Sequence, residues 1–214
     1  MEKGIKLALA RIRGLKVTLD QAAYNELVVC ADKYYESYQD TAPGSVPRIE
    51  TARSLFKKIG LDPTKRRPSS EALLRRALKK TGFYSINNLV DTGNWCSLEF
   101  LLPICVYDGS NVIGEVSARL GMKDEGYIAI DGNYLDLSQR YLVYDELGAM
   151  GSPIKDSLRT RVTETTQEAV LLIYAPAELT DEILQKYLDI FISRTVTFCG
   201  GELLLKKIIE IVID

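Results

Sequence analysis

The order of patterns along this 214-residue chain predicts an α+β fold: one module of mixed sheet and packed helices, a single domain over residues 1–214. Three observations lead there. After an opening strand, apolar residues recur at helical spacing from about residue 20 to 80. From about residue 112 the pattern changes to short alternating runs separated by turn residues. No internal repeat or low-complexity tract interrupts either part. A hydrophobic fraction of 46% and a charged fraction of 26% are those of an ordinary globular chain, and the length supports a full core.

Ile5 to Val17 is predicted as a strand, with Gly14 as a bulge or turn. Asp20 is positioned to cap a helix reaching Gln39, whose stripe is Tyr24, Leu27, Val28, Ala31, Tyr34 and Tyr38. Those tyrosines need no more than a buried helix face, so core packing is favoured over a stacking platform for bases. The Thr41–Pro47 stretch is a loop, and a helix follows to Ile59, ended by Gly60 and the Pro63 turn. Pro68 opens a basic helix with Ser69, Ser70 and Glu71 at its positive end. Leu73, Leu74, Ala77 and Leu78 form its buried stripe, and Gly82 stops it. In the second half, Gly114, Val116, Ala118 and Leu120 alternate with polar residues as a half-buried strand. Tyr127–Ile130 and Tyr134–Leu137 form a hairpin around Asp131-Gly132. Tyr141–Tyr144 and Ala169–Tyr174 are short apolar strands. Thr180 caps a last helix carrying Ile183, Leu184, Tyr187, Leu188, Phe191 and Ile192. Cys199-Gly-Gly ends it, and Leu203–Ile213 closes as a strand.

Several function classes are excluded at once. The chain has no histidine, which removes Ser-His-Asp and Cys-His catalysis within one chain, histidine-containing zinc sites and a histidine pH switch. Cys30, Cys96, Cys105 and Cys199 include no Cys-x-x-Cys pair, so reduced buried thiols are expected rather than disulfides or a metal site. No cofactor is expected. No apolar run approaches the ~20 residues of a membrane helix, and the Met-Glu-Lys-Gly-Ile-Lys start lacks a signal peptide's apolar core. A cytoplasmic protein that does not enter the membrane is the expectation.

The net charge of -2 conceals a strong local polarity. Across residues 65–80, seven cations (Lys65, Arg66, Arg67, Arg75, Arg76, Lys79 and Lys80) face Glu71 alone, leaving a local +6. Such a segment steers an anionic partner; a solvated helix face with a good dipole match explains the charge equally well. Arg75 and Arg76 lie beyond the dipole's reach at the cap and are the better candidates for phosphate contact. Further on, Asn87-Asn88, Asp91 and Asn94 sit beside an apolar run that ends in Pro103-Ile-Cys-Val-Tyr-Asp108. A polar cluster in such a place is either scaffold, satisfying backbone groups, or the wall of a site.

The Asp91-Thr-Gly-Asn94 and Pro103–Asp108 motifs, in that order and spacing, resemble the paired third and fourth domains of the phenylalanyl-tRNA synthetase β chain, its editing module. Gly114 with Arg119, Asp131-Gly132, Ala149-Met-Gly151 and Thr165-Thr166 continue the match. The Arg-Pro-Ser-Ser-Glu-Ala-Leu-Leu-Arg-Arg run is similar to free-standing versions of the module. The resemblance covers roughly residues 45–176. It implies an α+β module whose cleft hydrolyses a mischarged aminoacyl ester on transfer RNA, using a held water and backbone donors.

On that resemblance the pocket would draw on Asn87, Asp91, Asn94, Cys105, Tyr107, Met150, Gly151 and Ile173, while Arg66, Arg67, Arg75, Arg76 and Lys79 would meet RNA. The glycine segment at Met150-Gly151 would let backbone amides approach a ligand carbonyl, and Arg159–Thr166 is either a phosphate-contacting or a capped surface loop. The chain departs from the family at two points. Cys105 stands where synthetases place a histidine, and their tyrosine-reading glutamate falls on or near Ile173. An apolar pocket suited to a less polar side chain is implied. The expected partners are tRNA or aminoacyl-tRNA, with hydrolysis of mischarged tRNA; the alternative is a non-catalytic module that binds a free amino acid.

Overall fold

The central feature of the computed structural model, which describes residues 4–212, is a strand buried on both faces. β1 (Gly4–Arg13) sends Ile5, Leu7 and Leu9 to one side and Ala8, Ala10 and Ile12 to the other. Two-residue periodicity therefore requires a layer on each face. β1 is followed by α1 (Ala22–Tyr38), α2 (Ile49–Lys58), α3 (Ser69–Lys79) and α4 (Asn88–Phe100). Then come β2 (Ile104–Asp108), β3 (Ser117–Leu120), β4 (Gly126–Ile128), β5 (Tyr134–Asp136), β6 (Tyr141–Asp145), β7 (Gly148–Gly151) and β8 (Glu168–Pro176). The chain ends with α5 (Asp181–Cys199) and β9 (Glu202–Val212).

The main sheet is antiparallel throughout, in the order β2-β8-β1-β9. On one face α4 and α5 bury Leu89, Cys96, Phe100, Leu184, Leu188 and Phe191 against Ala8, Ile12, Leu171 and Ile173. On the other, Leu55 and Phe56 of α2 and the following Ile59 share a core with Ala118, Tyr141, Val143 and Met150 of a second sheet, β3-β6-β7. A third apolar cluster joins α1, α3 and α4 through Leu27, Leu74, Ala77 and Leu98. The fold is α+β, and no helix among the described residues is long and apolar enough to cross a membrane.

Local departures from the sequence reading have local causes. β1 stops at Arg13 because Gly14 takes φ +71° and turns the chain. Asp20 lies just outside α1: Gln21 is the N-cap, and Asp20 Oδ1 instead accepts the Ala22 N–H at 3.1 Å. α3 ends on Lys80, left-handed at φ +49°, with the Thr81 N–H returning to the Arg76 carbonyl, so the helix has stopped before Gly82. Leu120 and Ile183 are exposed although both patterns put them inside. The Met150-Gly151 segment ends strand β7. Ile213 lies outside the described residues.

The largest omission is α4, to which no periodicity pointed. Its buried set includes Asn88, Asp91, Thr92 and Ser97 as well as Leu89, Cys96, Leu98 and Phe100. A helix enclosed by α1, α3, α5 and β2 has no polar face to create a 3.6-residue alternation.

Candidate functional site

Asn87 and its neighbours are the scaffold of α4. Asn87 Oδ1 accepts the Val90 N–H at 2.9 Å, which makes it the N-cap. Asn88 accepts the Thr18 N–H and donates to the Lys16 and Phe198 carbonyls, tying α4 to the β1–α1 connection and the end of α5. Asp91 is sealed in the first turn, accepting from Ser85 Oγ at 2.7 Å and from the Ile86 N–H. Burial pushes its carboxyl above the usual range, opposed by those two donors. Asn94 is half-buried farther along the helix.

These residues do not share a cleft with Cys105 and Gly151. α4 packs on the β2 face that carries Ile104 and Val106, with Val106 close against Gly93. Cys105 and Tyr107 point to the opposite face. Ile173 is on the wrong face for the same reason: β8 pairs Cys105 with Leu172, and alternation sends Leu172 and Tyr174 toward Cys105 while Ile173 faces α4 and α5. The residue beside the cluster is therefore Tyr174, and the wall is phenolic where an apolar one was expected.

What does assemble between the two sheets is a buried polar cluster. Tyr107 and Tyr174 hydroxyls lie 3.2 Å apart, both side chains fully enclosed. Gly151 is required there, since a Cβ would collide with the Tyr107 hydroxyl. The Cys105 thiol is directed at the Ser152 carbonyl, 4.0 Å away. Tyr127 donates to the Lys155 carbonyl and lies 3.0 Å from Ser152 Oγ. Met150, fully buried, lies beneath, its carbonyl accepting from Thr160 Oγ1 at 2.7 Å.

Asp156 completes the cluster. Its Oδ1 is sealed from solvent and has no hydrogen-bond partner of normal geometry, although the residue as a whole keeps some surface. Burial raises its pKa to about 6, with the Cys105 thiol and the Tyr107 hydroxyl pulling the other way. Burial also drives the Cys105, Tyr107 and Tyr174 groups well above their ordinary values, so all three are neutral at physiological pH and Cys105 is no thiolate nucleophile. The arrangement offers one carboxyl titrating near neutrality among neutral donors, which suits proton transfer to or from a bound water or hydroxyl. Sequence reasoning missed Asp156, Tyr127 and Tyr174. Antiparallel alternation from Cys105 would have found Tyr174; Asp156 is in an irregular segment with no signal.

Asp108, Thr166 and Arg159 are structural. Asp108 accepts from Ser110 and from Thr166 Oγ1 at 2.8 Å, and Arg159 grips Asp145 at 2.9 and 3.0 Å. In the basic segment, Glu71 is nearly fully buried and accepts from Arg53 at 2.9 and 3.0 Å and from Arg75 at 3.0 Å. Arg75 is thus paired with Glu71 while part of its side chain stays exposed. Arg66, Arg67, Arg76 and Lys79 are exposed. Arg67, Arg76 and Lys79 line a groove of about 340 Å³ together with Arg75, and Arg76 lies 5.6 Å from the ring of the exposed Tyr84. Among the described residues no cluster of Cys, Asp and Glu is arranged to hold a metal ion.

The chain is similar in sequence to β subunits of a tRNA ligase. The chain is 32% identical over 126 residues to the phenylalanine–tRNA ligase β subunit of Streptomyces avermitilis, covering 56% of this chain and 14% of that protein. It is 26% identical over 160 residues to the β subunit of Photorhabdus laumondii, covering 72% and 20%. The chain thus spans only a fifth or less of these relatives' length. A crystal structure of an N-terminal fragment of the phenylalanyl-tRNA synthetase β subunit from Pyrococcus horikoshii superimposes with a TM-score of 0.49 at 14% identity, over 92% of this chain and 46% of that one. Residues 51–185, which run from α2 into α5 and include the whole polar cluster, match the B3/4 domain, and the chain belongs to the B3/4 domain family.

Proposed function

We propose that the chain binds transfer RNA and hydrolyses the ester of a mischarged aminoacyl-tRNA at the polar cluster between its sheets. The observation that carries the reading is Asp156. A carboxyl with an orphan oxygen and a pKa near 6 is costly to maintain in a protein interior. It fits a base that takes a proton from the attacking water. In ester hydrolysis that water's oxygen bonds to the carbonyl carbon, the bond to the ribose oxygen breaks, and the proton held by Asp156 passes to the leaving ribose oxygen, which becomes the free hydroxyl. The neutral phenols of Tyr107 and Tyr174, enclosed and facing each other in this structure, would donate to the developing oxyanion once the sheets part to admit the ester. Support for the RNA half comes from membership of a family shared with tRNA ligase β subunits and from the exposed cations Arg66, Arg67, Arg76 and Lys79.

The test is release of the amino acid from a panel of mischarged tRNAs. Wild type is expected to exceed the uncatalysed rate for at least one pair, and Asp156→Asn to slow release by about a hundredfold or more. Release at the uncatalysed rate for every pair rejects the hydrolase. A second reading, binding of a free amino acid without hydrolysis, is favoured by the neutral state of Cys105 beside two phenols. It predicts a thermal shift with one member of an amino-acid panel, a ligand at 100 times its dissociation constant adding about 2.7 kcal/mol.

A further inference from the structure

A second candidate site lies in the helix layer, across the main sheet from Cys105. It is a cavity of about 480 Å³ between α1, α4 and α5, lined by Lys33, Tyr34, Arg48, Trp95, Glu99 and Arg194 among others. Three features make it more than a gap between helices.

The first is Arg48. It is the N-cap of α2 and takes φ +71°, a left-handed conformation that costs a residue with a Cβ about 1–3 kcal/mol. Its guanidinium meets only neutral acceptors: the Tyr187 hydroxyl at 3.3 Å, the Tyr34 hydroxyl at 3.4 Å and the Glu99 carbonyl at 3.2 Å. No carboxylate pairs with it among the described residues. A guanidinium held in place by long neutral contacts is a fork for an anion, since carboxylate and phosphate oxygens bind it bidentately and more strongly. Lys33 adds a second cation to the same lining.

The second is a planar stack. Arg194 lies 3.5 Å over the Trp95 ring and is held there by Glu99 at 2.8 Å. Both Arg194 and Trp95 line the cavity, where Tyr34 and Tyr38 supply further ring surface. The third is a pair of carboxylates, Glu26 and Glu99, in a lining otherwise rich in cations. Carboxylates accept from exocyclic amines of nucleobases. An anion fork, a planar stacking surface and amine acceptors within one cavity match a single ligand class.

We propose that this cavity is a nucleotide site: a phosphate on Arg48 and Lys33, a base stacked on the Arg194–Trp95 pair, and an exocyclic amine facing Glu26 or Glu99. The ligand is a ribonucleoside monophosphate unit, either free or as one residue of an RNA strand. The site does not use the polar cluster, so it stands whether or not ester hydrolysis occurs.

Trp95 is the only tryptophan of the chain, which makes its emission a direct reporter. Fluorescence lifetime, which base absorbance does not mimic, would be followed while the full chain is titrated with each of the four ribonucleoside monophosphates and, separately, with a short single-stranded RNA. A saturable lifetime change is expected with at least one monophosphate, or with the RNA alone if the unit must be part of a strand. Arg48→Gly removes the fork while relieving the left-handed strain. It should weaken the dissociation constant roughly tenfold or more without lowering the melting temperature. Arg48→Lys, which keeps charge but not the bidentate geometry, should fall between. No lifetime change with any monophosphate or RNA overturns the proposal. So does undiminished binding by Arg48→Gly, or a response to benzoate or phenylalanine alone. Because the readout is independent of amino-acid release, failure here and failure of the hydrolase are separate results.

Discussion

Asp156 makes the sharpest prediction at the level of one residue. Its folded pKa of about 6 lies above an unfolded value near 4. The proton is therefore bound more tightly in the folded chain. The associated stability is fully present below pH 4 and lost as pH rises through 6. At pH 8 the wild type carries a buried, uncompensated carboxylate. Asp156→Asn should then be the more stable protein by about 1–3 kcal/mol, the advantage disappearing near pH 4. Urea midpoints at the two pH values decide it, and a variant less stable than wild type at pH 8 would remove the argument. Glu71 behaves in the opposite sense. Its burial alone would raise its pKa, but Arg53 and Arg75 outweigh that and hold it below the ordinary carboxylate range. Its contribution is present above the unfolded value and lost as pH falls. Glu71→Gln should cost about 2–3 kcal/mol at neutral pH, less than a wholly buried pair because both guanidiniums keep some solvent. The deficit should shrink below pH 4.

At the level of elements, α4 is where the sequence was hardest to read and where the structure depends most on polar contacts. Asn88 alone supplies three hydrogen bonds linking α4, the β1–α1 connection and the end of α5. Asn88→Ala leaves the Thr18 N–H and two carbonyls without their partner and should cost about 2–4 kcal/mol, measured by chemical unfolding. Asn87→Ala loses only the cap and should cost about 1 kcal/mol. Equal effects would show that the three-way tie carries no special weight. The other helices were legible because each has one wet face: Leu74 and Ala77 of α3 are buried opposite the exposed Arg76 and Lys79. β1 and β8 were legible as strands, but not which of their faces met which layer. That is why Ile173 was placed beside Cys105 while Tyr174 holds the position.

For the whole molecule, the question is how charge and layers are arranged in space. In the +6 segment Glu71 pairs with Arg75 and with Arg53 of α2, and the remaining cations are exposed. If those cations meet RNA, replacing Arg76 and Lys79 by glutamine should weaken tRNA binding and reduce the slope of log K against log salt by about 1.5. The slope is read from filter binding at several salt concentrations, and the substitutions should leave the melting temperature unchanged. A slope that does not move would place the RNA surface elsewhere. The sequence by itself determined the α+β class, the helical stripes, the exposed basic run and the absence of histidine chemistry, because each depends on neighbours within a few residues. Only the tertiary structure decided that Asp91 and Cys105 stand on opposite sides of a sheet, that Asp156 joins two tyrosines, and that Arg48, Trp95 and Arg194 meet around one cavity. Those groupings depend on strand register and helix packing, which bring together residues up to about 150 positions apart.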